Sequence, residues 1–251
     1  MPSKERTQLS FGTPHRHFAY TDSTNTRARE LTAAGAPHGT VVTATEQSAG
    51  RGRQGRTWTA PAGKALLYSA VVRPLEKRHL LLPLAVPLAV CDAAEELVGG
   101  IACGVKWPND VHLGGRKLAG VLIEARPQDG WAVVGVGLNL TIAGAEFPPE
   151  LRESATSLLA DRRADSPALR AETRDTAMKA LNRHLARWLG AGGEAVLGAW
   201  RERDVLRGRE VSWEDGSGVA DGVDDRGYLI VLTAGGQRVA LGAGEVHLGR
   251  I

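Results

Sequence analysis

The sequence predicts an α/β (α+β) protein with a mixed central β-sheet flanked by helices, followed by a small antiparallel β-barrel at the C-terminal end. Segments rich in β-branched residues alternate with helical patterns up to Gly190. Beyond Arg207 the chain changes to short alternating segments separated by turns rich in glycine and aspartate. With 251 residues, 43% of them hydrophobic, the chain is long enough for one sizeable core and a small second one.

The first part of the chain predicts a helix followed by strands and a second, buried helix. In "DSTNTRARELTAAGAP", Ser23 and Thr24 offer N-cap hydroxyls and Gly35 marks the end of a short helix. The apolar residues 79–100 predict a buried helix that begins near Pro83 or Pro87. Strands of one mixed sheet are predicted for "TVVTATE", "ALLYSAVV", "GVKW", "DVHL", "KLAGVLIEAR" and "WAVVGVGLNL".

A long helix and the C-terminal barrel complete the predicted architecture. Between Pro167 and Gly190 the following residues recur at the helical spacing of three or four: Leu169, Thr173, Ala177, Leu181, Leu185 and Trp188. The segments "REVSW", "GVADGVDD", "GYLIVL", "QRVAL" and "EVHLG" then predict a barrel of about 45 residues. We therefore expect a larger domain over residues 1–205 and a smaller one over 206–251.

Composition and charge exclude several classes of protein. Lys and Arg total 31 against 28 Asp and Glu, so the formal net charge is only +3, without a basic tail of the kind that coats nucleic acid. Cys91 and Cys103 lack metal-ligand and redox-pair spacing and are predicted to be reduced packing thiols. His15 and His17 lie in a polar segment and are expected to be solvated. Because neither a secretory signal nor an apolar span of about 18 residues is found, we expect a cytoplasmic protein without membrane contact.

Residues 50–56, "GRGRQGR", place three arginines and three glycines in a loop after a predicted strand. Glycines let backbone N–H groups approach an anion, and guanidinium groups match phosphate or carboxylate oxygens. A solvated surface loop and an RGG-like nucleic-acid contact are the alternatives. The loop is not part of a Walker motif, because Gly63-Lys64 is followed by alanine and Trp58 stands where that motif needs its first glycine.

The motif "KWPND" can direct a lysine, an amide and a carboxylate from one strand end, since proline extends the residue before it and Asn109-Asp110 favours a turn. An ordinary strand–turn–strand with a packed tryptophan explains the same pattern.

Two later strands carry glycines where a ligand would need space. In "KLAGVLIEA", Lys117 opens an apolar strand and Gly120 allows the close approach of a ligand or of another backbone. In "VGVGLNL", Gly135 and Gly137 clear one face of a strand, which suits something flat or bulky. In both strands a β-bulge is the alternative explanation.

Taken together, in this order and at these spacings, "DSTN", "GRGRQGRTW", "KWPND", "KLAGVLIEA" and "VGVGLNL" resemble the biotin protein ligases, also called biotin–[acetyl-CoA-carboxylase] ligases. The resemblance runs from about Thr21 to Leu140, and that family also carries a small SH3-like barrel at the C-terminal end. It implies a catalytic domain that activates biotin with ATP to biotinyl-5'-AMP, with Mg²⁺, and transfers biotin to a lysine. A lipoate ligase or octanoyltransferase of the same fold and a non-enzymatic nucleic-acid-binding module are the alternatives.

The resemblance implies roles for individual residues. Those expected at biotin are Ser23, Thr24, Asn25, Gln47, Arg51, Gly52, Arg53, Lys117, Gly120, Leu122 and Gly137. Those expected at ATP are Arg51, Arg53, Trp58, Lys106, Asn109, Lys117 and Asn139. Lys117, Arg51, Arg53, Lys106 and Asp110 form the expected catalytic group, because joining a carboxylate to a phosphate concentrates negative charge that cations stabilise. The metal ligands are unknown.

The resemblance also has two departures and implies a partner. Gln54 stands where family members often carry another basic residue, which removes one charge from the loop. Only about 20 residues precede "DSTN", so we expect no winged helix-turn-helix, no DNA binding and no repressor activity. The expected partner is a biotin carboxyl carrier protein or domain of an acyl-CoA carboxylase, and the expected oligomeric state is a monomer or weak homodimer.

Overall fold

The computed structural model describes residues 10–159 and 167–248, and for residues 167–170 the backbone alone. The helices in these ranges are α1 (Thr24–Ala33), α2 (Leu82–Leu97), α3 (Pro167–Leu189) and α4 (Gly193–Arg203). The strands are β1 (His15–Thr21), β2 (Val41–Gln47), β3 (Ala65–Val72), β4 (Cys103–Lys106), β5 (Asp110–Leu113), β6 (Arg116–Arg126), β7 (Trp131–Asn139), β8 (Glu210–Trp213), β9 (Gly216–Val223), β10 (Leu229–Leu232), β11 (Arg238–Leu241) and β12 (His247–Leu248).

The first seven strands form the predicted mixed sheet, in the order β1-β2-β3-β7-β6-β5-β4. Strands β1 and β2 are parallel, and every other neighbouring pair is antiparallel. Strand β3, next to the central strand β7, is buried along its whole length. Such a strand is apolar on both faces because helices cover both sides of the sheet.

Adjacent residues of β2 show how the helices divide between the two faces. Val41 belongs to the main hydrophobic core together with Leu88 of α2 and Leu181 of α3. Val42 belongs instead to a smaller cluster with Ala28 of α1. Successive side chains of a strand point to opposite faces. Helix α1 therefore covers one face of the sheet, and α2 and α3 cover the other.

The two long helices agree with the sequence pattern. Helix α2 has Pro83 in its first turn, where the missing N–H group costs nothing, whereas Pro87 lies inside the helix. Helix α3 buries the second half of its predicted stripe, Ala177, Leu181, Leu185 and Trp188. The side chain of Leu169, which begins that stripe, lies outside the described residues.

Two elements have no counterpart in the sequence prediction. Strand β1 forms because it pairs with β2. Its histidines are exposed, as expected, and each also has a ring nitrogen near Thr43 Oγ1, at 2.8 Å for His15 and 2.9 Å for His17. Helix α4 starts directly after Gly192 and buries Trp200 completely. Its three flanking and internal glycines hide the helical pattern, and tertiary packing overrides their low helix propensity.

The C-terminal strands form a five-stranded antiparallel sheet in the order β11-β10-β9-β8-β12, which confirms the predicted small β domain. Val211 and Val231 of this sheet belong to the same hydrophobic core as Leu84 of α2. The indole of Trp107 also donates a hydrogen bond of 3.0 Å to the carbonyl of Gly227. The two parts thus pack closely, and the boundary between 1–205 and 206–251 stays a prediction.

Other sequence expectations concern cysteines and membrane spans. Cys91 and Cys103 are free and buried. None of the helices within the described ranges combines the length and apolar character that crossing a membrane requires.

Candidate active site

One pocket brings together the motifs that are separated in sequence. Every residue that the sequence assigned to a ligand or to catalysis lines this pocket except Asn139: Ser23, Thr24, Asn25, Gln47, Arg51, Gly52, Arg53, Trp58, Lys106, Asn109, Asp110, Lys117, Gly120, Leu122 and Gly137. The free volume is about 140 Å³. Pockets for drug-sized ligands usually measure about 300–1,000 Å³, so this pocket is small in the conformation described.

The uncharged polar end of the pocket is built from the first turn of α1 and the end of β2. Gln47 Oε1 accepts a hydrogen bond of 2.7 Å from the backbone N–H of Thr24. The hydroxyl of Ser23, which the sequence suggested as an N-cap acceptor, makes no capping hydrogen bond. The helix start is thus satisfied by a neighbouring strand, and the Ser23 hydroxyl is left at the pocket.

The glycine-arginine loop is folded over the pocket rather than extended into solvent. Gly52 N–H donates to the carbonyl of Arg56 at 2.7 Å, and Trp58 N–H donates to the carbonyl of Gly50 at 2.9 Å. Gln54 between them adopts a left-handed conformation with φ of 53°. Arg56 forms an ion pair with Glu245 of the C-terminal domain. The loop therefore contacts both domains.

The "KWPND" motif forms the hairpin turn between β4 and β5, in which Lys106 pairs with Asp110. Trp107 is packed with 3% of its surface exposed, as the ordinary strand–turn–strand explanation expects. Asn109 Nδ2 donates to the carbonyl of Val121 at 2.6 Å, and its Oδ1 lies 3.4 Å from Arg53 Nη1. The motif is therefore both a structural turn and part of the pocket wall.

Five cations line the pocket: Arg51, Arg53, Arg56, Lys106 and Lys117. Lys117 Nζ lies 2.7 Å from Asp110 Oδ1 and Arg51 Nη1 lies 3.0 Å from Glu124 Oε1. Arg53 and Lys106 make no ion pair within 4.0 Å among the described residues, and burial lowers the pKa of both. Their positive charges are partly desolvated and only weakly neutralised, which favours the binding of an anion.

The space that Gly137 leaves open is occupied by a side chain of this protein. A Cβ atom on Gly137 would lie 2.3 Å from Cε2 of Trp58, and one on Gly120 would lie 3.0 Å from its Cζ3. Lys117 Nζ is 5.8 Å from the centre of the indole ring, within the range of a cation–π interaction. The flat group that the cleared strand face accommodates is therefore the indole of Trp58, which forms a wall of the pocket.

Asn139 is the one assigned residue that the structure does not bring to the pocket. Its side chain is buried, and Nδ2 donates to the carbonyl of Thr156 at 3.0 Å. The backbone N–H of Leu158 donates to the Asn139 carbonyl at 3.0 Å. In this structure the Asn139 side chain therefore secures the segment after β7, whose backbone groups need buried partners, and its contact with ATP stays a prediction.

Some pocket residues escaped the sequence analysis. Gly244, Glu245 and Val246 contribute a wall from the loop before β12, far from the other motifs in sequence. No local pattern in that loop distinguishes it from an ordinary turn. Among the described residues, no cluster of three or more His, Cys, Asp or Glu side chains is arranged to hold a metal ion.

The fold and this pocket define a protein of the biotin and lipoate ligase class. Residues 17–140 match the Biotin/lipoate A/B protein ligase family, and residues 207–249 match the Biotin protein ligase C terminal domain. The biotin–[acetyl-CoA-carboxylase] ligase of Mycobacterium tuberculosis is 37% identical over 92% of this chain and 87% of its own length. The corresponding ligase of Paracoccus denitrificans is 34% identical over 92% of this chain and 99% of its own length.

A solved structure gives the same result. The biotin protein ligase of Aquifex aeolicus in complex with biotin and ATP matches with a TM-score of 0.76 and 29% identity, covering 94% of this chain and 99% of that one. The chain belongs to the biotin protein ligase family.

Proposed function

We propose that this chain activates biotin with ATP to biotinyl-5'-AMP and transfers biotin to a lysine of a biotin carboxyl carrier protein or domain of an acyl-CoA carboxylase. The observation that carries this proposal is the convergence of Arg51, Arg53, Lys106 and Lys117 on a pocket whose other end is uncharged and polar. The relative of Aquifex aeolicus in complex with biotin and ATP supports the same two ligands. The polar end suits a neutral ring system with hydrogen-bonding groups, and the cationic end suits phosphates.

In the first half-reaction a carboxylate oxygen of biotin attacks the α-phosphorus of ATP. The new phosphorus–oxygen bond forms as the bond to the leaving pyrophosphate breaks, so negative charge accumulates on both sides of the phosphorus. We assign Arg51, Arg53 and Lys117 to the carboxylate and phosphate being joined, and Lys106 to the remaining phosphates. Fixed cations in a partly dry pocket stabilise such charge better than water does.

In the second half-reaction the uncharged ε-amine of the carrier lysine attacks the acyl carbon of the adenylate. A carbon–nitrogen bond forms, the bond between the acyl carbon and the phosphate oxygen breaks, AMP leaves, and the nitrogen releases one proton to solvent. No nucleophile of the ligase itself is needed. The cations that stabilised the adenylate then stabilise the AMP phosphate as it leaves.

Asp110 and Mg²⁺ have supporting roles in this scheme. Asp110 accepts the hydrogen bond from Lys117 Nζ at 2.7 Å and so fixes the position of that ammonium group. The carboxylates of Asp110 and Glu245 lie at the pocket and fit a cation that takes one or two protein oxygens and otherwise phosphate oxygens and water. When bound, Mg²⁺ would reduce the negative charge of the ATP phosphates.

Several expectations accompany the proposal and stay predictions. These are the absence of DNA binding and repressor activity, the monomer or weak homodimer, and the cytoplasmic location. An electrophoretic mobility assay with operator-like duplexes and light scattering with and without biotin and ATP would test the first two.

The test of the proposed function is pyrophosphate release from ATP by the purified chain without a carrier. Biotin, lipoate and octanoate are supplied in parallel, and we expect release with biotin alone. Release with lipoate or octanoate but not with biotin would contradict the proposal and indicate a lipoate ligase or octanoyltransferase of the same fold. The absence of pyrophosphate release with all three acids would also contradict the proposal. Salt-sensitive binding to oligonucleotides would then favour the nucleic-acid-binding module.

A further inference from the structure

One acidic side chain that does not line the pocket is bonded to two residues that do. We propose that Glu124 is a positioning residue of the adenylation reaction, which fixes the amide of Asn25 and holds the guanidinium of Arg51. The inference rests on the proposed function, because that function places Asn25 and Arg51 at biotin. None of the sequence motifs assigned a role to Glu124.

The two carboxylate oxygens of Glu124 have different partners. Oε2 accepts a hydrogen bond of 2.9 Å from Nδ2 of Asn25. Oε1 lies 3.0 Å from Nη1 of Arg51 and 3.3 Å from Nη1 of Arg29. The Glu124 side chain is 20% exposed, so these contacts are partly shielded from water. Charge-assisted hydrogen bonds in such surroundings are stronger than those between neutral groups.

The amide of Asn25 is oriented at both ends. Ser69 Oγ donates a hydrogen bond of 2.6 Å to Oδ1 of Asn25, and Glu124 accepts from Nδ2 on the other side. Because Oδ1 can only accept and Nδ2 can only donate, this pair of partners excludes the flipped amide. Gly135 leaves the space that this orientation needs, since a Cβ atom there would lie 2.1 Å from Oδ1. The remaining N–H of Nδ2 is then free to donate to a ligand.

Arg51 gains a defined position from the same carboxylate. Its side chain is 44% exposed and would otherwise sample many rotamers. Holding the guanidinium beside the pocket before biotin binds removes part of the entropy that ordering it would cost. Glu124 therefore connects the buried polar end of the pocket with the loop that covers it.

The register of the sheet explains why Glu124 reaches both partners. On β6, Gly120, Leu122 and Glu124 lie opposite Gly137, Gly135 and Val133 of β7. Alternate residues of a strand share a face, so Glu124 continues the row of Gly120 and Leu122 beyond the pocket floor. The side chain thus approaches α1 from the end of the pocket where Asn25 lies.

The test compares steady-state pyrophosphate release by the wild-type chain with that by Glu124→Gln and Arg29→Gln, with biotin varied at saturating ATP. Glutamine keeps the size of glutamate but replaces one carboxylate oxygen by an NH2 group that only donates, so its two ends cannot accept from both Asn25 and Arg51. We expect Glu124→Gln to raise KM for biotin about tenfold, with kcat and KM for ATP changed by less than about threefold. Arg29→Gln removes the other partner of Glu124 and should leave all three constants within about twofold.

Each contrary outcome has a definite meaning. An unchanged KM for biotin in Glu124→Gln, with or without a lower melting temperature, would overturn the positioning role. An equal rise of KM for biotin in Arg29→Gln would also overturn the role, because any change of charge near Glu124 would then have the same effect. If the wild-type chain releases no pyrophosphate with biotin, the proposed function fails and the inference fails with it. Wild-type release with unchanged kinetics in Glu124→Gln overturns the inference alone.

Discussion

Charged side chains are concentrated in two regions of the molecule, and the two regions differ in how far these charges are paired. Between α2, α3 and α4, acids and bases are closely matched in a helix charge cluster formed by Asp92, Glu95, Glu96, His184, Arg187 and Arg203. At the pocket, Arg51 pairs with Glu124 and Lys117 pairs with Asp110, whereas Arg53 and Lys106 make no ion pair within 4.0 Å among the described residues. In the helix charge cluster the charges neutralise one another, whereas the pocket keeps positive charge that an anionic ligand can neutralise.

The pKa of Arg203 in the helix charge cluster and the pKa values of Arg53 and Lys106 in the pocket shift in opposite directions. In the helix charge cluster, hydrogen bonds to Glu95 raise the pKa of Arg203. In the pocket, burial lowers the pKa of Arg53 and of Lys106. A raised value means that the fold stabilises the charged form, and a lowered value means that the fold makes that form less favourable. We conclude that Arg203 serves stability, whereas Arg53 and Lys106 are retained at some cost for an anionic ligand.

The largest expected effect concerns Lys106. Lys106→Met should lower kcat/KM for ATP about a hundredfold, because a fixed cation at the phosphates is lost. The melting temperature should stay the same or rise, because a desolvated charge without an ion-pair partner is removed. Lys179→Met, which removes an exposed lysine of α3, is the control and should change neither quantity. A clearly lower melting temperature in Lys106→Met, with kcat/KM for ATP unchanged, would contradict the distinction between the two regions.

The second effect tests the helix charge cluster. Arg203 lies 2.9 Å from Asp92 and 2.5 Å from Glu95, with 23% of its side chain exposed. Arg203→Met should lower the free energy of unfolding by about 2 kcal/mol, measured by urea denaturation, because two shielded carboxylates lose their partner. Pyrophosphate release per folded molecule should change less than about twofold.

Arg201→Met supplies the comparison for that experiment. Arg201 lies on the same helix but pairs with Asp225, which is 93% exposed, at 3.5 Å. Exposed pairs contribute about 0–1 kcal/mol, and Arg201 also donates a hydrogen bond of 3.1 Å to the carbonyl of Val223, so this variant should lose about 1 kcal/mol, less than Arg203→Met. Equal losses in the two variants would show that burial of the pair is irrelevant.

A third, smaller effect concerns the space that the pocket keeps for Trp58. Gly137→Ala places a methyl group where Cε2 of Trp58 lies, at 2.3 Å, and must displace the indole. We expect kcat/KM for ATP to fall about tenfold, with a change in tryptophan fluorescence. Gly144→Ala is the control, because a Cβ atom there meets nothing within 4 Å. Unchanged kinetics in Gly137→Ala would mean that the indole position does not matter for the reaction.

The smallest effect is a pH dependence. Burial lowers the pKa of Lys106 below its usual 10.5, so this lysine loses its proton at a lower pH than an exposed one. Below the lowered pKa, the charged Lys106 reduces the free energy of unfolding. This reduction becomes smaller as the pH rises from the lowered pKa towards 10.5, the usual pKa of lysine. Binding of phosphates requires the charged form, so kcat/KM for ATP should fall as the pH rises through the lowered pKa.

Lys106→Arg should move that fall to higher pH, because arginine keeps its proton throughout the range. The measurement is kcat/KM for ATP from about pH 8 to about pH 10.5 for both proteins. Coincident profiles would assign the fall to another group.

Much of the fold could be predicted where local pattern and tertiary environment agree. The sequence predicts strand β3 with its observed bounds. Its eight residues are apolar apart from Ser69 and the hydroxyl of Tyr68, and such a run fits a strand that is covered on both faces. Strand β1 could not be predicted, because its polar residues are exposed and its pairing with β2 depends on a distant segment. Helix α4 was obscured by glycines that only packing of residues such as Trp200 compensates.

The sequence by itself determined the mixed sheet, the small C-terminal β domain and the types of residue in the pocket, because strand periodicity and motif spacing are local properties. Only the tertiary structure decided how those residues are used. It placed Trp58 on Gly137, moved Asn139 into a structural contact, and brought Glu124 and Glu245 to groups far away in sequence. The physical reason is that contacts between distant segments depend on how strands register and helices pack, and a single sequence pattern does not encode that geometry locally.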